Sequence, residues 1–210
     1  MFETIKNGGI IMIPILLCGV AATFIIIERI VYFTGLGKSN KALMSKIVPM
    51  ISEKDYIGAS IECRASSTPT SLVIGRALDS LDFSEEEQKR AVETETSRQY
   101  PRLERFLTAL GIISNVATLL GLLGTVTGNI KAFGVLGDGG TMGNPALLAS
   151  SISEALVTTA AGLIIAIPSV IAHNFFVVKA DRIMTEAENI VSDMMIKIRH
   201  GDERKEVSIR

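Results

Sequence analysis

One uncharged stretch of the chain carries small or polar residues at three-to-four spacing: Gly111, Ser114 or Asn115, Thr118, Gly121, Thr125, Gly128 and Asn129. On a helix that spacing gathers side chains on one face. A second uncharged stretch repeats the pattern with Ser151, Ala155, Thr158 and Thr159, Gly162, Ala166, Ser169 and His173. A hydroxyl donates one hydrogen bond and accepts two, so a file of them in apolar surroundings can solvate water or a titrating acid. The opposite stripe, Leu110, Ile113, Ala117, Leu120 and Leu123, suits lipid or an apolar neighbour. Packing is the competing account, because small residues let membrane helices approach and Ser or Thr often bonds its own backbone. Gly124 and Gly128 form such a small-xxx-small pair. For a single threonine, packing is the favoured reading. Matching stripes on two helices, with asparagine and several hydroxyls in register, favour a wet or partner-lined pathway.

Glu154 is the only acid between Asp138 and Asp181. A carboxylate deep in hydrocarbon costs on the order of 2.5–3.5 kcal/mol and then faces a cavity or a partner. The 24 neutral residues that follow it also suffice to span, which would leave it at the outer interface. Spacing leaves both readings open. The chain thus offers hydroxyls along a path and no acid clearly at mid-membrane, so a titrating carboxylate would have to come from another chain. His173 reads as a hydrogen-bonded packing residue ahead of a proton relay. No paired carboxylates, metal-ligand spacing, cofactor motif or nucleophile with a base is present, and the chain reads as a non-enzyme. Gly137-Asp138-Gly139-Gly140 lacks the lysine and strand of a phosphate loop and is only a turn.

The elements that carry these residues are set by charge. Residues 7–27, 106–130 and 155–178 contain no charge over 21, 25 and 24 positions. About 30 Å of hydrocarbon needs roughly 20 apolar helical residues, so each can cross a bilayer, and runs this long cross as helices. The fold class is all-α: an integral membrane protein with three transmembrane helices, the second and third extending far into the cytoplasm. Mean hydropathy of +0.39 agrees with a partly embedded chain. A net charge of −1 argues against nucleic acid as a partner. Cys18 and Cys63 lie in different environments and are not expected to pair. The first run lacks a cleavage site and reads as a retained span.

Lysine and arginine set the orientation. Arg29, Lys38, Lys41 and Lys46 follow span one, Arg98, Arg102 and Arg105 precede span two, and Lys179 and Arg182 follow span three. Only Lys6 and Lys131 lie on the other side. The boundaries read as a short external N-terminus at 1–9, spans at 10–31, 106–133 and 148–178, a cytoplasmic helical segment at 32–105, a periplasmic loop at 134–147, and a cytoplasmic helical tail at 179–210. Within the cytoplasmic segment, Ser52 with Asp55 forms a capping pair, Pro69 opens a helix after Thr68, and Ser84 with Glu87 forms a capping box. From Glu85 the simplest expectation is one helix to Phe133, kinked near Pro101.

Against this background the residues resemble a known family. Gly121-Leu-Leu-Gly-Thr125-Val-Thr-Gly128 with Ile130-Lys-Ala-Phe133 is similar to one signature of the MotA/TolQ/ExbB proton-channel proteins. Ile152-Ser-Glu154-Ala-Leu-Val-Thr-Thr159-Ala-Ala-Gly162-Leu, then Ala166-Ile-Pro168 and Asn174, is similar to the other. Pro14 and Ile27-Glu28-Arg29 resemble the ExbB type, and three spans point to the ExbB/TolQ branch. The resemblance implies an oligomeric ring, a homo-pentamer in the bacterial inner membrane. Its pore would hold helices of an ExbD- or TolR-like single-span protein with a membrane aspartate, working on a TonB- or TolA-like protein. By position, Thr125 and Thr159 match the family's pore-facing threonines and Glu154 its span-three glutamate. Thr158 joins them as a pore-lining candidate. Thr118, after Ala117, stands where relatives often carry proline.

The function implied is an ion-channel or stator subunit that couples proton motive force to TonB-dependent uptake. The alternatives are a TolQ-like role in envelope maintenance and a non-conducting helical scaffold. A small-solute transporter is weaker, since the spans show no internal repeat.

Overall fold

Every regular element among the described residues is a helix, because the uncharged runs have no water to satisfy an open backbone and the polar segments carry strong caps. The computed structural model describes residues 9–137 and 145–208, with side chains for 9–134 and 145–198. The helices are α1 (Met12–Ser52), α2 (Tyr56–Ser66), α3 (Pro69–Asp79), α4 (Glu85–Glu104), α5 (Leu107–Gly137) and α6 (Pro145–Ser208). Stretches of α1, α5 and α6 are long and apolar enough to cross a membrane. The glycine-rich turn at 138–144 lies outside the described residues, and Pro145 opens α6 as expected.

Two expectations about helix ends fail. Ser52 does not cap α2: it ends α1, where its hydroxyl donates to the Val48 carbonyl at 3.0 Å. Asp55 caps α2 alone by accepting from the Gly58 amide at 2.9 Å. Pro49 lies inside α1 without ending it, so α1 runs on and places that serine in its last turn. The helix expected from Glu85 to Phe133 is also two helices. Pro101 sits inside α4 without ending it, and the break comes at Arg105 and Phe106, where Phe106 takes a φ of +65°. Proline removes one backbone donor without ending α4, whereas a residue outside the right-handed helical region interrupts the helix. It is α1 and α6, rather than α5, that continue well past their apolar runs.

The chain forms two compact units. One contains residues 30–105 and 177–210, and its core joins Leu43, Ile47, Cys63, Val73, Ile74 and Leu78 to Val92, Ala187, Val191 and Met194. Polar staples hold its short helices. Thr68 caps α3 and donates to Asn40 Oδ1 at 3.1 Å, while Asn40 Nδ2 donates to Thr70 at 2.8 Å. Asp79 accepts from Ser60 at 2.6 Å and Arg64 at 2.7 Å. Burial pushes the Cys63 thiol up to about 11, with Asp79 and Glu62 adding to the effect. The Ser84–Glu87 capping box forms as its spacing predicts, and the Ser84 hydroxyl and amide hold the Glu87 carboxyl below the usual carboxylate range.

The other unit contains residues 1–29 and 106–176 and carries the candidate stripes. Ala22 and Ile25 of α1 pack with Leu110 of α5, flanked by Ala109, Ile113 and Ala172. Arg29 is almost wholly buried at its edge. It grips the Glu28 carboxylate with Nε at 2.5 Å and a terminal nitrogen at 2.7 Å, and lies 5.8 Å over the Phe106 ring.

Candidate functional site in the apolar unit

The glycines decide which faces of α5 and α6 meet. A Cβ on Gly124 would lie 2.6 Å from Thr158 Cβ, one on Gly128 2.5 Å from Ala155 Cβ, and one on Gly162 2.6 Å from the Ala117 carbonyl oxygen. Only hydrogen fits at these contacts, so the two backbones approach as small-residue seams do. Leu110, Ser114, Ala117, Gly121, Gly124, Gly128 and Ala132 are buried along α5, and Ala155, Thr158, Gly162, Ala166 and Ser169 along α6. This differs from the expected arrangement in one respect. Leu110 and Ala117 were assigned to the opposite side, and both are fully buried in the unit's interior. At about 100° per residue the glycines lie roughly a quarter-turn from the asparagines. A three-to-four spacing merges two adjacent faces of that kind into one.

Three faces therefore follow one another around α5. The seam comes first. Beside it runs a polar stripe of Asn115, Thr118, Thr125 and Asn129 with Leu122 among them, in which only Thr125 is partly covered. Beyond it lies an exposed apolar face of Ile112, Leu119, Val126, Ile130 and Phe133. The stripe is what α1 and α6 leave open.

The four candidate side chains take different places. Thr125, half-buried, flanks the seam and donates to the Leu122 carbonyl at 2.7 Å. Thr159, also half-buried, donates across the seam to the Gly121 carbonyl at 2.8 Å. Thr158 is 1% exposed, packs on Gly124 and donates to the Glu154 carbonyl at 2.7 Å, so its side chain is inside the seam and off the open face. Glu154 makes an ion pair with Lys131 at 2.7 Å, between the early turns of α6 and the late turns of α5. Gly9 backs this carboxylate so closely that a Cβ there would meet Oε1 at 2.0 Å. Sequence spacing does not pair Lys131 with Glu154, 23 positions away.

His173 bonds through Nδ1 to the Leu107 carbonyl at 2.8 Å and covers Gly111, whose Cβ would meet its Cε1 at 3.2 Å. A carbonyl only accepts, so Nδ1 carries the hydrogen, and the ring ties the start of α5 to α6. Asn115 and Asn129 enter the site as exposed neutral amides in an uncharged span. Their register with Thr118 and Thr125 was the signal that could have separated them from the glycines.

Comparison with known proteins places these helices in a wider group. The model of the MotA/TolQ/ExbB proton channel family matches residues 66–189. ExbB-like 3 of Synechocystis sp., a protein named for biopolymer transport, is 30% identical over 171 residues, covering 80% of this chain and 81% of that protein. ExbB-like 1 of the same organism is 32% identical over 178 residues, covering 80% and 66%. The biopolymer transport protein exbB1 of Vibrio cholerae is 44% identical over 89 residues, 42% of this chain and 37% of that protein. That shorter stretch leaves most of the Vibrio protein's length unmatched.

Proposed function

This chain belongs to the MotA/TolQ/ExbB proton channel family, and we propose that it is an ExbB-like inner-membrane subunit that couples the proton motive force to work on a periplasmic or outer-membrane partner. In this reading several copies, five by family likeness, close a ring around one or more helices of an ExbD- or TolR-like protein bearing a membrane aspartate. A TonB-like protein receives the output. In this reading the N-terminus and residues 134–147 lie outside the cytoplasm, an assignment that the lysine and arginine distribution supports.

The observation that carries this reading is the open polar stripe of α5. A membrane helix exposing Asn115, Thr118, Thr125 and Asn129 to lipid would leave two amides without partners in hydrocarbon. An acid-bearing guest helix, with the water it brings, removes that cost. Protonation erases the guest's charge and changes which groups can hold it, so each proton that enters and leaves shifts guest against ring. Moving one charge through 100 mV supplies about 2.3 kcal/mol, enough to bias such a step.

The rival is a non-conducting scaffold, favoured by the fact that Thr125, Thr158 and Thr159 all bond backbone carbonyls. Proton flux through liposomes holding this chain with an acid-bearing single-span partner separates the two. The channel reading expects flux that disappears in Thr125→Val while the assembly keeps its mass; equal flux in that variant overturns it.

A further inference from the structure

The open stripe differs in hydrogen-bond polarity between its middle and its ends. Thr118 donates to the Ser114 carbonyl at 3.1 Å and Thr125 to the Leu122 carbonyl at 2.7 Å. A backbone carbonyl can only accept, so each hydroxyl's single hydrogen is committed to it. What these threonines still offer is lone pairs. Asn115 and Asn129 are the contrast: both are exposed, and among the described residues neither amide is hydrogen-bonded. Each retains two N–H donors. They are 14 positions apart, about 21 Å along the helix, with Thr118 and Thr125 between them.

A carboxylate only accepts, and a carboxylic acid also donates. An ionised acid opposite Thr118 and Thr125 would set lone pair against lone pair unless a hydroxyl gave up its backbone bond. A protonated acid can donate to either threonine at once. Among the described residues of this unit the charged groups do not blur the contrast. From 115 to 129 in α5 and from 155 to 172 in α6 there is no titratable residue. At the margins, Lys131 is paired with Glu154, Arg29 with Glu28, and His173 with the Leu107 carbonyl.

We propose that this stripe sorts a guest membrane acid by protonation state: Thr118 and Thr125 lodge it as the neutral, hydrogen-donating acid, and Asn115 and Asn129 dock its ionised form near the two ends. The inference rests on the reading that an acid-bearing helix lies against α5. It adds where along that helix the acid is charged. Ionisation is favoured at two stations about 21 Å apart, and the passage between them is made protonated.

The test uses permanently fixed mimics, so that the guest's own titration plays no part. Three synthetic leucine-rich membrane helices carry asparagine, cysteic acid or leucine at the centre and are placed with the full-length chain in nanodiscs. Asparagine mimics the neutral acid and cysteic acid the ionised one; association is read by energy transfer between labels. Both polar guests should bind about tenfold tighter than the leucine guest, the worth of one net hydrogen bond. Thr118→Val with Thr125→Val should erase the asparagine guest's advantage and spare that of the cysteic acid guest. Asn115→Leu with Asn129→Leu should erase the cysteic acid guest's advantage. These threonines bond their own helix, so the valine pair leaves the seam intact, which circular dichroism checks. A cysteic acid guest that depends on the threonines and ignores the asparagines overturns the sorting alone. Polar guests that bind no better than leucine overturn the sorting and the channel reading together.

Discussion

The Thr159 hydroxyl donates to the Gly121 carbonyl at 2.8 Å, across a contact where a Cβ on Gly121 would come within 3.3 Å of Thr159 Cα. One residue thus fastens α5 to α6. Thr159→Ser keeps the bond and Thr159→Val loses it. The valine variant should lose about 1 kcal/mol of stability in detergent, within the range measured for interhelical bonds in membranes, and the serine variant much less. Thermal unfolding followed by circular dichroism checks the pair.

Gly162 tests the closeness of the seam. Its substituent would sit 2.6 Å from the Ala117 carbonyl oxygen and 3.1 Å from Gly121 Cα, both backbone atoms that cannot step aside. Gly162→Ala should destabilise by about 1–3 kcal/mol, the usual cost of overpacking. Gly35→Ala, where nothing lies within 4 Å, should be neutral or stabilising because alanine is the better helix former. Equal melting temperatures for the two variants would remove the seam from the account.

The Lys131–Glu154 pair is held at 2.7 Å with the lysine side chain 55% exposed. A pair this open should couple by about 0.2–1 kcal/mol. A double-mutant cycle of Lys131→Met and Glu154→Gln, read by thermal unfolding, measures it, and exchanging the two charges should recover most of the loss. Coupling that survives molar salt undiminished would show that solvent does not reach the pair.

Ser84 and Glu87 make the start of α4 sensitive to acid. The Glu87 carboxyl is held below its ordinary value of 4.5 by its bonds to Ser84, so the folded state favours the ionised form. The stabilisation is complete above that ordinary value and is lost as the pH falls through the lower folded one. Ser84→Ala should cost about 1 kcal/mol near neutrality. The difference in melting temperature between wild type and Glu87→Gln should shrink as the pH is lowered below 4.5.

Cys63 is buried, and its thiol is pushed up to about 11, so at neutral pH it stays protonated and covered. In a Cys18→Ala background, maleimide should leave the native chain unmodified over minutes and label it fully in denaturant. Fast native labelling would mean that the core around Cys63, Val73 and Ile74 opens readily.

Charge alone made the three membrane runs legible, because a charge in hydrocarbon costs more than any local preference returns. The caps at Thr68 and Ser84 were equally readable, since a cap needs only residues three positions apart. The break at Phe106 was hidden: neither glycine nor proline marks it, and only the surrounding fold holds a phenylalanine at a φ of +65°. Spacing also grouped the glycines with the threonines of α5. Which side of a helix meets a neighbour depends on that neighbour, and contact with α6 assigned Gly124 and Gly128 to the seam and left Asn115 and Asn129 open. Lys131 and Glu154 met for the same reason: two residues far apart in sequence become partners only when the seam fixes the height of one helix against the other.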